Sequence, residues 1–307
     1  MVSEEAYAQA GVAVHVLGKE SYPSALAEDH EAPAVLFSIG DLAALDGPRV
    51  AIVGSRRCTR YGREVAFELG RDLARQGVRV VSGLALGIDG AAHLGVLAAG
   101  DGAAPPVAVV GSGLDVVYPR PHERLWRQVG EAGLLLSEAP LGARPEPWRF
   151  PARNRILAAL ADVVVVVESR FKGGSAHTVR AADQRGVPVM AVPGSVRSEA
   201  SSYTNELLVS GSPPARDAED ILVALDLLGR GPARRCATTA APDALPSPND
   251  PGQAALLEAM GWLAASLVVR TALTPGQASV AAHLEMGGWV VGQAGWWEQV
   301  RREVSAK

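Results

Sequence analysis

The chain has 307 residues, enough to bury a full core in one large domain with a smaller one beside it. Hydrophobic residues make up 48% and charged residues 20%, an ordinary globular balance that excludes wholesale disorder. The formal net charge of −4 and pI near 5.9 argue against an all-over basic surface for duplex DNA, and aromatics at 5% leave few rings for stacking. Any nucleic-acid site must therefore rest on cations concentrated in one place and on backbone amides.

Met1–Gly11 is polar and acidic, without the apolar stretch of a signal peptide. From Arg49 onward, short Val-rich runs alternate with helical patterns. Arg49–Ser55 reads as a buried strand and Arg63–Gln76 as a helix. Val78–Leu84 is a second strand, followed by a helix over Asp89–Ala99. Val107–Ser112 is a third strand, with a helix around His122–Glu131, and Leu134–Glu138 is a fourth. A helix begins over Asn154–Leu160. Asp162–Ser169 is the most apolar strand, Ser175–Arg185 is helical, and Val187–Pro193 is the sixth strand. Helices over Asn205–Ser210 and Ala218–Leu228 close the series. Continuous apolar strands alternating with helices specify an α/β fold with a parallel sheet covered on both faces. The right-handed crossover then gives an extended, Rossmann-like, doubly wound, mostly parallel sheet.

This divides the chain into an N-terminal lead-in segment (1–48), a Rossmann-like domain (49–228), a Pro- and Ala-rich flexible linker (229–252) and a small helical C-terminal domain (253–307). In the last, Gln253–Leu267 and Pro275–Met286 look helical, and Gly288–Val300, with Trp289, Trp296 and Trp297, suggests a terminal hairpin. The longest apolar run, near Val163–Val167, is far too short to span a bilayer, so no membrane insertion and a cytoplasmic location are expected. Cys58 and Cys236 lack metal-ligand spacing and read as free thiols.

In an open parallel sheet, ligands bind beyond the carboxyl ends of the strands. Those positions hold Gly54-Ser55-Arg56-Arg57, Ser82-Gly83-Leu84, Gly111-Ser112-Gly113, Arg149-Phe150-Pro151 with Arg153-Asn154, Lys172-Gly173-Gly174 and Pro193-Gly194-Ser195. Glycine-rich turns feeding helix N-termini aim N–H groups outward, and arginines beside them suit phosphates. The plainer alternative is that these glycines only permit tight turns. Phe150 is either a stacking ring or a core anchor for its loop. His93 and His177 invite an acid–base reading, but His93 lies one turn past Asp89 on a helix and more simply packs or caps. There is no Ser-His-Asp or Cys-His spacing and no G-x-S-x-G, so no catalytic residue is assigned. No metal site and no cofactor are expected either.

In order and spacing, Ile52–Arg56 (IVGSR), Ser82–His93 (SGLALGIDGAAH), Gly111–Arg120 (GSGLDVVYPR), Leu135–Pro140 (LLSEAP), Phe150–Leu157 (FPARNRIL) and Val189–Val196 (VMAVPGSV) together resemble the DNA-processing protein A (DprA/Smf) family. The likeness runs from about Tyr22 to Leu225. It implies an extended Rossmann fold that binds single-stranded DNA without base specificity, protects incoming strands and loads the RecA recombinase during natural transformation. By motif, it assigns DNA binding to Arg56, Ser82, Gly83, Phe150, Arg153, Asn154, Lys172, Gly173 and Gly174. It implies that the segment from Gln253 is winged-helix-like, and it leaves a homodimer open.

The chain departs from the family pattern at several points. Gly173-Gly174 stands where a serine usually precedes the second glycine, and His177 and Arg180 replace small or apolar residues. The N-terminal helical domain of many members is absent or reduced to the first twenty or so residues. Two other readings remain. One is a nucleotide-sensing Rossmann module using the same phosphate edge. The other is a LOG-type nucleoside-monophosphate phosphoribohydrolase, disfavoured because Arg180 occupies the position of its catalytic glutamate. An NAD-dependent oxidoreductase fits less well, because no G-x-G-x-x-G with a following acid succeeds the first strand.

Overall fold

The computed structural model describes residues 4–171 and 173–232, together with the backbone of three short strands at 271–272, 290–293 and 296–299. The chain forms two compact units, Met1–Arg234 and Arg235–Lys307.

The first unit is built on an eight-stranded sheet in the order β1-β2-β6-β5-β4-β3-β7-β8. The strands are β1 (Ala13–Val16), β2 (Val35–Gly40), β3 (Arg49–Val53), β4 (Arg79–Ser82), β5 (Val107–Val110), β6 (Leu134–Ser137), β7 (Val163–Val166) and β8 (Val189–Ala191). The six from β3 to β8 are mutually parallel, as their apolar runs require. The stretch before residue 49 does more than lead in. Its two strands extend the sheet, β2 pairing antiparallel with β6 and β1 with β2.

Helices cover both faces: α1 (Glu4–Gln9), α2 (Ser24–Ala27), α3 (Arg60–Arg75), α4 (Ile88–Leu97), α5 (Glu123–Ala132), α6 (Arg149–Leu160), α7 (Ser175–Asp183), α8 (Ser202–Val209) and α9 (Ala218–Leu227). Alternate residues of each strand point to opposite faces. Ala51, Val53, Val164 and Val166 pack against Ile156 and Leu157 of α6 and Val179 of α7. Val50, Ile52, Val163 and Val165 pack on the other face against Leu69 and Leu73 of α3, Ile88 of α4 and Ile221 and Leu225 of α9. Truncating a fully buried member such as Leu73 to alanine costs about 2–5 kcal/mol.

Helices α3, α6 and α8 begin three to five residues earlier than the sequence pattern suggests. Helix α3 opens at Arg60 because Thr59 caps it: its hydroxyl accepts from Gly62 N–H at 3.2 Å. That cap is itself held by Glu168, which accepts from Thr59 N–H at 2.8 Å and from its hydroxyl at 2.5 Å. Helix α6 opens at Arg149, five residues before Asn154, because Pro151 falls in the first turn, where a missing N–H breaks no helical bond.

In the second unit, β10 (Val290–Gln293) and β11 (Trp296–Gln299) form an antiparallel hairpin, and β9 (Thr271–Ala272) pairs with β11. The hairpin falls where the tryptophan-rich stretch suggests one. The helices expected over Gln253–Leu267 and Pro275–Met286, and most of the linker, lie outside the described residues. Among the described residues, no helix is long and apolar enough to cross a membrane.

Candidate nucleic-acid interface

Strand order reverses at β3: β4 lies on one side of it and β7 on the other. The loops leaving β3 and β7 therefore diverge and open a crevice at their carboxyl ends. The crevice is a cleft of about 980 Å³ whose lining includes Arg56, Arg57, Phe150, Asn154, Gly173 and Gly174. The β3 loop is fixed by Ser55 N–H, which donates to Glu168 O at 2.7 Å. Gly54 is required there, since a Cβ would sit 2.7 Å from Glu168 O. On the β7 side, Ser175 donates to the Ser169 hydroxyl at 2.6 Å, which folds the loop back on itself. Helix α7 then points its N-terminus, with no side chain capping it, at the cleft.

The cleft has a cationic and aromatic wall. The Arg56 guanidinium lies 4.6 Å from the Phe150 ring centre, and the Phe150 and Tyr118 rings are 5.4 Å apart at 38°. Arg56 and Arg57 are exposed, and neither has an ion pair among the described residues. The ring face holds the guanidinium in place without neutralising it. Phe150 is half-buried, lies against the Gly111 turn and lines the cleft. Asn154, also half-buried, donates from Nδ2 to Gly174 O at 3.4 Å, tying α6 to the glycine pair.

Three of the residues expected to contact DNA carry structural roles. Arg153 does not open a helix beside Phe150; it sits in the second turn of α6 with its side chain buried. Its Nη1 donates to Gly83 O at 2.9 Å and also to Val109 O. It is a strut between strand ends, and its side chain also lines the cleft. Burial lowers its pKa to about 10, so it stays charged at neutral pH. The buried Asp89 carboxyl is its electrostatic partner. Burial raises that carboxyl's pKa, opposed by Arg153 and by the backbone N–H groups of Ala85 and Gly83. Ser82 is fully buried and donates to Ile52 O at 2.6 Å, so its hydroxyl is not offered to a ligand. Gly83 is buried as well. Its role is to make room for the strut, because a Cβ there would stand 2.3 Å from the Arg153 guanidinium.

His93 is wholly buried and its pKa is pushed down to about 3, chiefly by burial, so its imidazole is neutral. It packs in α4, as its position one turn past Asp89 suggests. Lys172 lies outside the described residues, between Phe171 and Gly173, both of which line the cleft. His177 lines the cleft too, whereas Arg180 is exposed on α7 and is not part of the lining. Tyr118 lies inside one of the motifs but is not among the residues assigned to DNA binding by motif, and neither are Phe171 and Trp148, each 60% exposed. An exposed large ring beside a glycine loop was the available signal. Among the described residues, no group of His, Cys, Asp and Glu has the arrangement of a metal site.

A family model for DNA recombination-mediator protein A matches residues 13–226. The chain belongs to this family. DNA processing protein DprA of Streptococcus pneumoniae is 39% identical over 203 residues, covering 66% of this chain and 71% of that protein. The Bacillus subtilis DprA is 36% identical over 217 residues, 70% of this chain and 72% of the relative. The X-ray structure of the S. pneumoniae protein superposes with a TM-score of 0.66 at 36% identity, covering 72% of this chain and 78% of the other. A Helicobacter pylori DNA processing protein A structure, which gives insight into that protein's single-stranded DNA binding mode, superposes at 0.62 with 31% identity, covering 70% and 96%. These similarities agree with the fold class and with the family read from the motifs.

Proposed function

We propose that this chain binds single-stranded DNA, with little dependence on sequence, in the cleft between the β3 and β7 loops. The observation that carries the reading is one cleft uniting an unpaired Arg56 stacked on Phe150 with the N-terminus of α7 at Gly173-Gly174. Cations and helix N–H groups suit phosphates, while ring faces suit any base. The single-stranded DNA binding mode described for the H. pylori relative supports it. On this reading the protein is a cytoplasmic mediator that protects incoming strands and passes them to RecA, and it acts by binding, without catalysis. Arg180 at the glutamate position supports the absence of phosphoribohydrolase activity, since a cation there cannot stabilise an oxocarbenium-like centre. The domain from 253 onward is read as winged-helix-like.

A cleft of about 980 Å³ is also large enough for a free nucleotide, which keeps the sensing module as a second reading. Fluorescence anisotropy of a labelled oligo-dT strand, with same-length duplex and free AMP as competitors, separates the two. Strand binding predicts weak competition by both. Displacement by AMP at concentrations similar to the strand's favours the nucleotide reading.

A further inference from the structure

Phe171 is a large apolar ring left 60% exposed on a loop that the fold holds firmly. Its N–H donates to the Ser202 hydroxyl at 3.2 Å, Tyr203 N–H donates to Ser169 O at 3.0 Å, and Arg170 pairs with Glu199 at 3.4 Å. The first turn of α8 and the short turn before it thus hold the loop at Ser169, Arg170 and Phe171 itself. The Tyr203 ring stands edge-on behind it at 6.2 Å and 77°, and Tyr203 packs on the core under α6 and α7. A pinned ring gives up favourable burial by facing outward. Here it faces the same cleft that Phe150 and Tyr118 line. Strand order separates the two aromatic pairs: Tyr118 follows β5 on one side of β3, and Phe171 follows β7 on the other.

We propose that Phe171, backed by Tyr203, is a second base-stacking platform, so that a bound strand crosses the phosphate loops with one base on Phe150 and another on Phe171. The proposal rests on the reading of the cleft as a single-strand site. It makes the site one for a chain of nucleotides, with one base to each platform. A stacking platform needs a ring face, whereas a packing role needs only apolar bulk, and the two are separable by substitution.

The experiment compares wild type, Phe171→Leu, Phe171→Trp and Arg56→Ala by anisotropy, on oligo-dT and on an abasic strand of the same length. Phe171→Leu keeps apolar volume but loses the ring, and should weaken oligo-dT binding about 5- to 100-fold. It should leave abasic-strand binding within about twofold, and Phe171→Trp should bind oligo-dT like wild type. Equal weakening on both strands, or unchanged oligo-dT binding by Phe171→Leu while Arg56→Ala weakens it, overturns the platform alone. If wild type binds neither strand, or Arg56→Ala binds as wild type does, the reading of the cleft itself fails.

Discussion

The guanidinium of Arg56 lies over the ring of Phe150, 4.6 Å from its centre, so a strand-end cation and a helix-borne ring form one surface. The two residues are far apart in sequence, and the sheet brings them together. Each should therefore matter to binding, and neither should act alone. Arg56→Ala should cost about 1–3 kcal/mol of strand affinity and Phe150→Ala a similar amount, about 1–3 kcal/mol. In a double-mutant cycle the pair should couple by about 0.5–2 kcal/mol. Arg63→Ala, on the exposed face of α3, should change little. Arg56→Ala should also flatten the dependence of log affinity on log salt by about 0.7, the release expected for one phosphate contact on a single strand. Anisotropy titrations at several salt concentrations read all of these.

Arg153 should behave as a structural residue. Its loss leaves the Gly83 and Val109 carbonyls without their donor and Asp89 without the stronger of its two counter-charges, Arg153 and Arg56. Arg153→Ala should destabilise folding by about 2–5 kcal/mol. Arg153→Lys should recover only part of that, because an ammonium cannot reproduce the planar fork. Urea denaturation midpoints compared with those of Arg56→Ala, which should be near wild type, distinguish a strut from a ligand contact.

Burial of His93 makes stability pH-dependent with a definite sign. Its pKa is about 3 in the folded protein, below the ordinary value of 6.5, so between those values the unfolded chain binds a proton that the folded one does not. The His93 contribution is complete above pH 6.5 and falls as the pH drops toward 3, with a slope approaching about 1.4 kcal/mol per pH unit. Asp89 is shifted the opposite way: its raised pKa lets the folded state hold a proton, so its contribution is complete below the carboxyl's unfolded value and is lost as pH rises. Comparing wild type with His93→Gln across this window isolates the histidine. The variant should show a shallower loss of stability on acidification.

The division of the chain after Arg234 predicts a proteolytic product. Limited digestion should yield a stable fragment ending between Gly229 and Gly252 that retains strand affinity within a few-fold of the whole chain. A fragment that is unfolded, or that has lost binding, would mean that the residues beyond 253 complete the site.

How far the site could be read from sequence depended on what each residue's surroundings hide. The strands of the parallel sheet were legible because a run such as Val163–Val166 is apolar on both faces, and the glycines after them mark its functional edge. Strands β1 and β2 were not legible, because they lie at the antiparallel margin of the sheet and mix partly exposed and polar residues with apolar ones. Arg56 and Phe150 were legible as separate candidates, but their contact depends on the order of strands. The strut role of Arg153 was not legible because a charge looks the same in sequence whether it faces solvent or holds two strand ends together. Ser82 was misread because its position in a glycine loop hides that its hydroxyl turns back onto β3.

The central claim is that the strand lies in the cleft at the carboxyl ends of β3 and β7. The most direct test is photocrosslinking of a 4-thiothymidine oligonucleotide to the whole protein, with the modified peptides located by mass spectrometry. The account predicts adducts in segments 111–120, 148–155 and 169–177, reduced in Phe150→Ala. Adducts confined to residues 253–307, or to the opposite edge of the sheet around Arg49 and Asp162, would contradict it.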